Sequence, residues 1–191
     1  VSPTASWTRN DKFGEAISYT VTLSVNRNDA RDENDSRTRW FNLATGAQAL
    51  DQRETGYSTN LRDGINLNSR VQIALGQGES IVLTPFAVLS QGTTHSQSQL
   101  DQASGTTIAA PYARFSTDGD GRFSLLRGNA QWQKTLSDGM RLDVRAGAGG
   151  GNFSNHSLRN EFDATAAKTR TVDDESNTKE NNWSLTGKVS H

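Results

Sequence analysis

Hydrophobic residues recur at every second position in four separate stretches of this chain, and a period of two is the mark of β-strands that keep one face in an apolar medium. Across residues 131–147 the even positions continue a series that reads Ala130, Trp132, Lys134 and Leu136, then Met140, Leu142, Val144 and Ala146. The odd positions read Arg127, Asn129, Gln131 and Gln133, then Arg141, Asp143 and Arg145. A three-residue loop over Ser137, Asp138 and Gly139, with Gly139 left-handed, sets Leu136 opposite Met140, Trp132 opposite Val144 and Gln131 opposite Arg145. Both strands then keep one apolar face; a two-residue loop would mix the faces.

The design recurs. Leu67, Val71, Ile73 and Leu75, then Ile81, Leu83, Pro85, Ala87 and Leu89, share a face around a turn at Gln77, Gly78 and Glu79. Ala5 and Trp7, then Ile17, Tyr19, Val21, Leu23 and Val25, do so near the start, with Arg9 expected opposite Glu15. Trp183, Leu185 and Val189 repeat the pattern at the end. The joints alternate strictly in kind. Those near 10–14, 76–79 and 137–139 are tight, while those near 28–63, 92–121 and 153–181 are long, polar and charged. Structureless loops of that length are uncommon in compact soluble domains, so they are read as either functional or disordered. The expected fold class is all-β: an antiparallel up-and-down meander of about seven strands, with tight turns at one edge and long loops at the other, as in outer-membrane barrels.

Composition excludes several classes. The 191 residues are 32% hydrophobic and 21% charged. Mean hydropathy is −0.71, and no apolar run is long enough for a membrane helix. A barrel wall escapes such a scan because alternate residues face lipid. A net charge of −1 lacks the basic excess of a nucleic-acid binder. The absence of cysteine removes disulfides and thiolate metal sites. Val1 opens the chain without a signal peptide, as a mature or excised segment would.

Taken in order, TASWTRNDKFGEAISYTVTLSVNRND, the charged SRTRWFN, GINLNSRVQIALGQGESIVLTPFAVLSQ and LLRGNAQWQKTLSDGMRLDVRAGAG resemble the barrel wall of a TonB-dependent outer-membrane transporter. The resemblance covers nearly the whole chain, at the stretch that follows the plug. It implies a closed barrel of about twenty-two strands around a plug. It also implies the outer membrane of a Gram-negative bacterium and uptake of a scarce nutrient such as a metal-siderophore complex. The implied partners are outer-membrane lipid, the remainder of the barrel with its plug, an unknown small ligand, and the TonB energy-coupling protein through segments this chain lacks. No enzyme activity, nucleic acid, metal or cofactor is expected. The chain shows no plug, no TonB-box segment and no terminal aromatic residue, and an open sheet of about seven strands leaves both edges unpaired. It therefore reads as a fragment of a larger receptor.

Arg37, Arg39, Trp40 and Phe41 in the first long joint, and Tyr112 and Phe115 in the second, are the candidate ligand contacts, as exposed charges and aromatics on a rigid scaffold. Arg70, Arg127, Arg141, Asp143 and Arg145 are expected to face the lumen, mostly in cross-strand polar pairs such as Gln133 with Asp143. Trp7, Trp132 and Trp183 suit an interfacial belt or simple core packing. Residues 116–121 mimic a calcium loop but put Ser116 first and Arg127 at the bidentate glutamate position, so they read as a turn. Residues 147–151 miss the dinucleotide fingerprint at Asn152 and read as a flexible strand end. His95, His156 and His191 read as solvated loop or terminal residues. The alternative to a membrane wall is a soluble all-β binding or adhesion domain of sandwich type, in which a second sheet covers the apolar face.

Overall fold

The structure is a computed structural model that describes residues 2–76, 78–103, 108–136 and 139–190. The described residues form one antiparallel sheet of seven strands in chain order: β1 (Thr4–Phe13), β2 (Ile17–Phe41), β3 (Gln48–Gly76), β4 (Glu79–Gln102), β5 (Arg114–Thr135), β6 (Arg141–Phe162) and β7 (Lys168–Ser190). Each strand pairs with the next, β1 and β7 are the edges, and the sheet is not closed. Fold class thus agrees with the period-two reading.

The tight turns behave largely as their residues require. Gly139 has φ of 77° and Gly78 of 76°, the left-handed values such turns need. Leu136 and Met140 meet through the backbone, and Trp132 lies opposite Val144, Gln131 opposite Arg145 and Gln133 opposite Asp143. Gln77, Ser137 and Asp138 lie outside the described residues. The first turn is corrected. β1 runs on to Phe13, Gly14 takes φ of 62°, and Arg9 faces Val21, not Glu15. Arg9 and Asp11, two apart on one face, bond to each other at 2.7 Å, which lets the strand continue through two charges.

The larger correction concerns the long joints. Most of 28–63, 92–121 and 153–181 is strand: β2 pairs with β3 out to Phe41 and Gln48, β4 with β5 out to Gln99 and Arg114, and β6 with β7 out to Phe162 and Lys168. The turns there are short, about residues 42–47 and 163–167. These strand halves show no apolar alternation because both of their faces are polar, so the periodicity that reveals a half-buried strand is absent. Backbone pairing and cross-strand side-chain bonds hold them instead. Residues 116–121 and 147–151 are likewise interior to β5 and β6.

Register carries each row of side chains across the sheet. Tyr19, Val71, Leu83, Ala130, Ala146 and Leu185 make one such row, in the middle of an apolar band that reaches from Ile17 to Val25 on β2 and from Ile65 to Leu75 on β3. That is about 26 to 33 Å along the strands and about 20 to 25 Å if they tilt as barrel strands do. The band is bare: Leu126 is 65% exposed, Leu185 69% and Trp183 83%. Buried apolar side chains are confined to Leu50 and Leu100 among the described residues, both at the far end from the tight turns, here called the head.

Glycines show which way the sheet curls. A methyl group added at Gly92 would lie 2.9 Å from the Leu61 carbonyl oxygen, and one at Gly149 2.9 Å from that of Leu126; both point to the polar face. At Gly128 and Gly187, which point to the apolar face, it would meet nothing within 4 Å. Gly150 on the apolar face is crowded chiefly by the Asn181 side chain, with backbone no nearer than 3.2 Å, so backbone crowds closest on the polar face, which is the concave one, and the apolar face is the convex one. Pro85 sits inside β4, and the pairing of β3 with β4 skips Ser69 and Arg70 opposite it and Thr84, where proline has no N–H to give.

Candidate functional site

At the head, Arg37 and Arg39 stand on β2 facing Arg53 and Asp51 of β3. Arg37 donates from Nε and Nη2 to both oxygens of Asp51, at 2.8 and 2.7 Å. Arg39 Nε lies 3.6 Å from the same carboxylate. One row back, Arg53 grips Asp35 at 2.9 and 2.5 Å. Two bidentate pairs thus cross between strands whose arginines face one another. The Arg37 hydrogen bond, helped by Gln48, holds the Asp51 carboxyl well below the usual carboxylate range, and the Arg53 hydrogen bond lowers that of Asp35.

Trp40 and Phe41 close β2, both about half exposed. Beyond them Leu43 is fully exposed on a turn that Asn42 pins by accepting the backbone N–H groups of Ala44 and Thr45, at 2.9 and 3.2 Å. Tyr112 and Phe115 meet edge to face, 5.3 Å between centroids. The Arg159 guanidinium stacks 3.8 Å from the Phe115 centroid and 5.0 Å from that of Tyr112. Its Nε lies 3.0 Å from Glu161 Oε1 but off hydrogen-bond alignment, so this contact is one of charge.

The six head candidates therefore make two groups, not one. Arg37 and Arg39 belong to the face that carries the apolar band lower down. Phe115 lies opposite Ser98 and Glu161 on the concave face. There Ser98 donates to Glu54 at 2.6 Å, and Leu50, Leu100, Ser98 and Glu161 are the most buried residues of their surroundings. This concave cluster of stacked rings, a guanidinium and carboxylates is suited to grip a planar or charged ligand by stacking and ion pairing. Arg159, Glu161, Glu54 and Ser98 went unrecognised in the sequence. The spacing of Arg159 and Glu161 places them on one face once residue 159 is known to be in a strand.

Lower down, Arg70, Arg127, Arg141, Asp143 and Arg145 all sit on the concave face. Asp143 is the hub: it accepts from Gln131 at 2.7 Å, Gln133 at 2.9 Å and Arg145 at 3.2 and 3.4 Å, while Arg141 donates to Gln133. Arg70 and Arg127 have no ion-pair partner among the described residues.

The histidines are not loop residues. On the convex face of the head, His95 on β4 meets Asp118 on β5 at 2.6 Å. His156 on β6 lies between Asp120 on β5, at 3.5 Å, and Asp173 on β7, at 2.8 Å. The Asp173 hydrogen bond raises the affinity of His156 for its proton. His191 lies outside the described residues. Among the described residues no group of three or more His, Asp or Glu side chains is placed to hold a metal ion. No protein-family model matches the chain, and no curated protein matches it.

Proposed function

We propose that the chain is a wall segment of a TonB-dependent outer-membrane receptor, which takes up a scarce nutrient such as a metal-siderophore complex. The observation that carries this reading is the bare apolar band on the convex face of a sheet whose concave face is mainly polar, with Val82, Phe86, Val88, Phe123, Leu125 and Phe153 as its apolar members. In water that band would be an apolar patch well beyond the few hundred Å² a soluble monomer ordinarily exposes. In a bilayer it faces hydrocarbon over about the height a barrel wall needs. The polar concave face, with the Asp143 hub and the unpaired Arg70 and Arg127, then lines the interior. The remainder of the barrel covers the free edges of β1 and β7, and the plug and the TonB contact belong to residues outside 1–191.

Ligand recognition on this reading falls to the head, where Tyr112, Phe115 and Arg159 gather on the concave side. The test is refolding of the full-length receptor from urea. With phosphatidylcholine vesicles it should give a protease-resistant, heat-modifiable band, and without lipid or detergent it should aggregate. A monodisperse, cooperatively melting monomer in plain buffer would overturn the membrane reading in favour of a soluble sandwich-type binding domain.

A further inference from the structure

The convex face changes character in a fixed order from the tight turns to the head. The apolar band ends at Val25 on β2, Leu126 on β5 and Trp183 on β7, and the first cations beyond it on the same face are Arg27, Arg122 and Lys179. Further out come Asp118, Asp120 and Asp173, each within reach of a histidine. Most cations of the head are paired, whereas Arg114 stacks on the Phe162 ring. Arg31, Arg37 and Arg53 each hold a carboxylate, at 3.4, 2.7 and 2.5 Å. Arg27 has only a loose contact of 3.8 Å with Asp63, and Arg122 and Lys179 have no hydrogen-bond or ion-pair partner among the described residues.

The band also drifts. Its head-side limit follows one row through Val25, Ile65 and Leu89, then retreats to Leu126 on β5 and to Ala148 and Trp183 on β6 and β7. That is four residues over three strands, or about 13 Å of strand, which is how a horizontal lipid boundary crosses tilted strands. Lys179 retreats with it: it lies one same-face step nearer the turns than Arg122, in the row of Val25. Arg27 and Arg122 share one row, two and four residues past the band, and Lys179 stands four residues past it one same-face step lower, so all three lie within four residues of the boundary.

We propose that Arg27, Arg122 and Lys179 form a lipid-binding rim that engages the phosphates of anionic headgroups in the leaflet on the head side. The inference rests on the wall reading above. Arg122 and Lys179 stand four residues past the last apolar side chain, about 13 Å along the strand and about 10 Å above the hydrocarbon after tilting. The headgroup zone begins at the hydrocarbon edge and is about 5 to 7 Å deep, and long cationic side chains bend along the wall to reach it. Neither Arg122 nor Lys179 holds a carboxylate among the described residues, so both are free to pair with a phosphate.

The test uses the full-length receptor in phosphatidylcholine vesicles, with tryptophan quenching by brominated phosphatidylglycerol compared with brominated phosphatidylcholine. The unaltered protein should prefer the anionic lipid by about 5-fold or more. Arg27→Gln, Arg122→Gln and Lys179→Gln together should bring the preference close to parity, while Arg31→Gln, Arg53→Gln and Arg114→Gln on the head should leave it. Equal quenching by both lipids in the unaltered protein, or equal loss in the two triple variants, overturns this inference and leaves the wall reading standing. Absence of quenching by either lipid overturns both.

Discussion

Leu83 and Gly149 show how single positions are governed by which face they occupy. Leu83 lies in the central row of the band with 36% of its surface free. On the proposed wall reading, replacing it by arginine in lipid should cost about 2 to 4 kcal/mol, the penalty for a charge at the midplane of a barrel's outer face. Its neighbour Thr84 points to the concave side, and Thr84→Gln should change stability little. Urea unfolding in vesicles measures both, and equal costs would mean the two faces see the same solvent. Gly149 tests the curl. The methyl group of Gly149→Ala would press on the Leu126 carbonyl oxygen and on Arg127 Cγ, 2.6 Å away, so overpacking should cost about 1 to 3 kcal/mol. Gly128→Ala adds its methyl in open space on the convex face and should be neutral or slightly stabilising. A reversed order would remove the concave assignment.

Among the elements, the head halves of the strands are held by polar side chains, so their pairing should respond to pH where the body does not. His156 links β5, β6 and β7, and its proton is held more tightly than usual by the Asp173 hydrogen bond, then by the charges of Asp173 and Asp120. A raised folded value stabilises the paired state fully below the ordinary histidine value of about 6.5, and that contribution is lost as pH rises through the raised value. Hydrogen-exchange protection factors of Leu158 and Val172, opposed to neighbours in this part of β6 and β7, should therefore fall as pH rises above the ordinary histidine value of about 6.5. In His156→Gln they should be flat over the same rise; an unchanged pH profile in the variant would place the dependence elsewhere. These halves were illegible in the sequence for the same reason. In residues 28–41 neighbouring side chains such as Asp32 and Glu33, or Arg37 and Thr38, are polar on both faces, so no alternation marks the strand, and paired strand looks like loop.

At the scale of the whole molecule, seven is an odd number, so β1 and β7 run in the same direction. Joining them, or joining two copies in one membrane orientation edge to edge, would make a parallel pair. An all-antiparallel wall, such as bacterial barrels have, needs an odd number of strands from elsewhere. Residues 1–191 alone in vesicles should consequently give no stable conducting pore, whereas the full-length wall should close. The proposed outer-membrane reading adds a prediction of sidedness. Cysteines at Thr45 and Thr165, in head turns, should react with an impermeant thiol reagent on intact cells, and one at Glu15, in a tight turn, should not. Labelling of all three would refute the orientation. The sequence by itself determined the antiparallel meander, the single apolar face and the pairing around Gly139, because alternation and a left-handed glycine are local properties that one register satisfies. Tertiary structure alone decided that the charged joints are strands, that Arg37 and Phe115 lie on opposite faces, and that Arg159 joins Tyr112 and Phe115. Those outcomes depend on which strand lies alongside which and on the curl of the sheet, and no periodicity within a single segment encodes either.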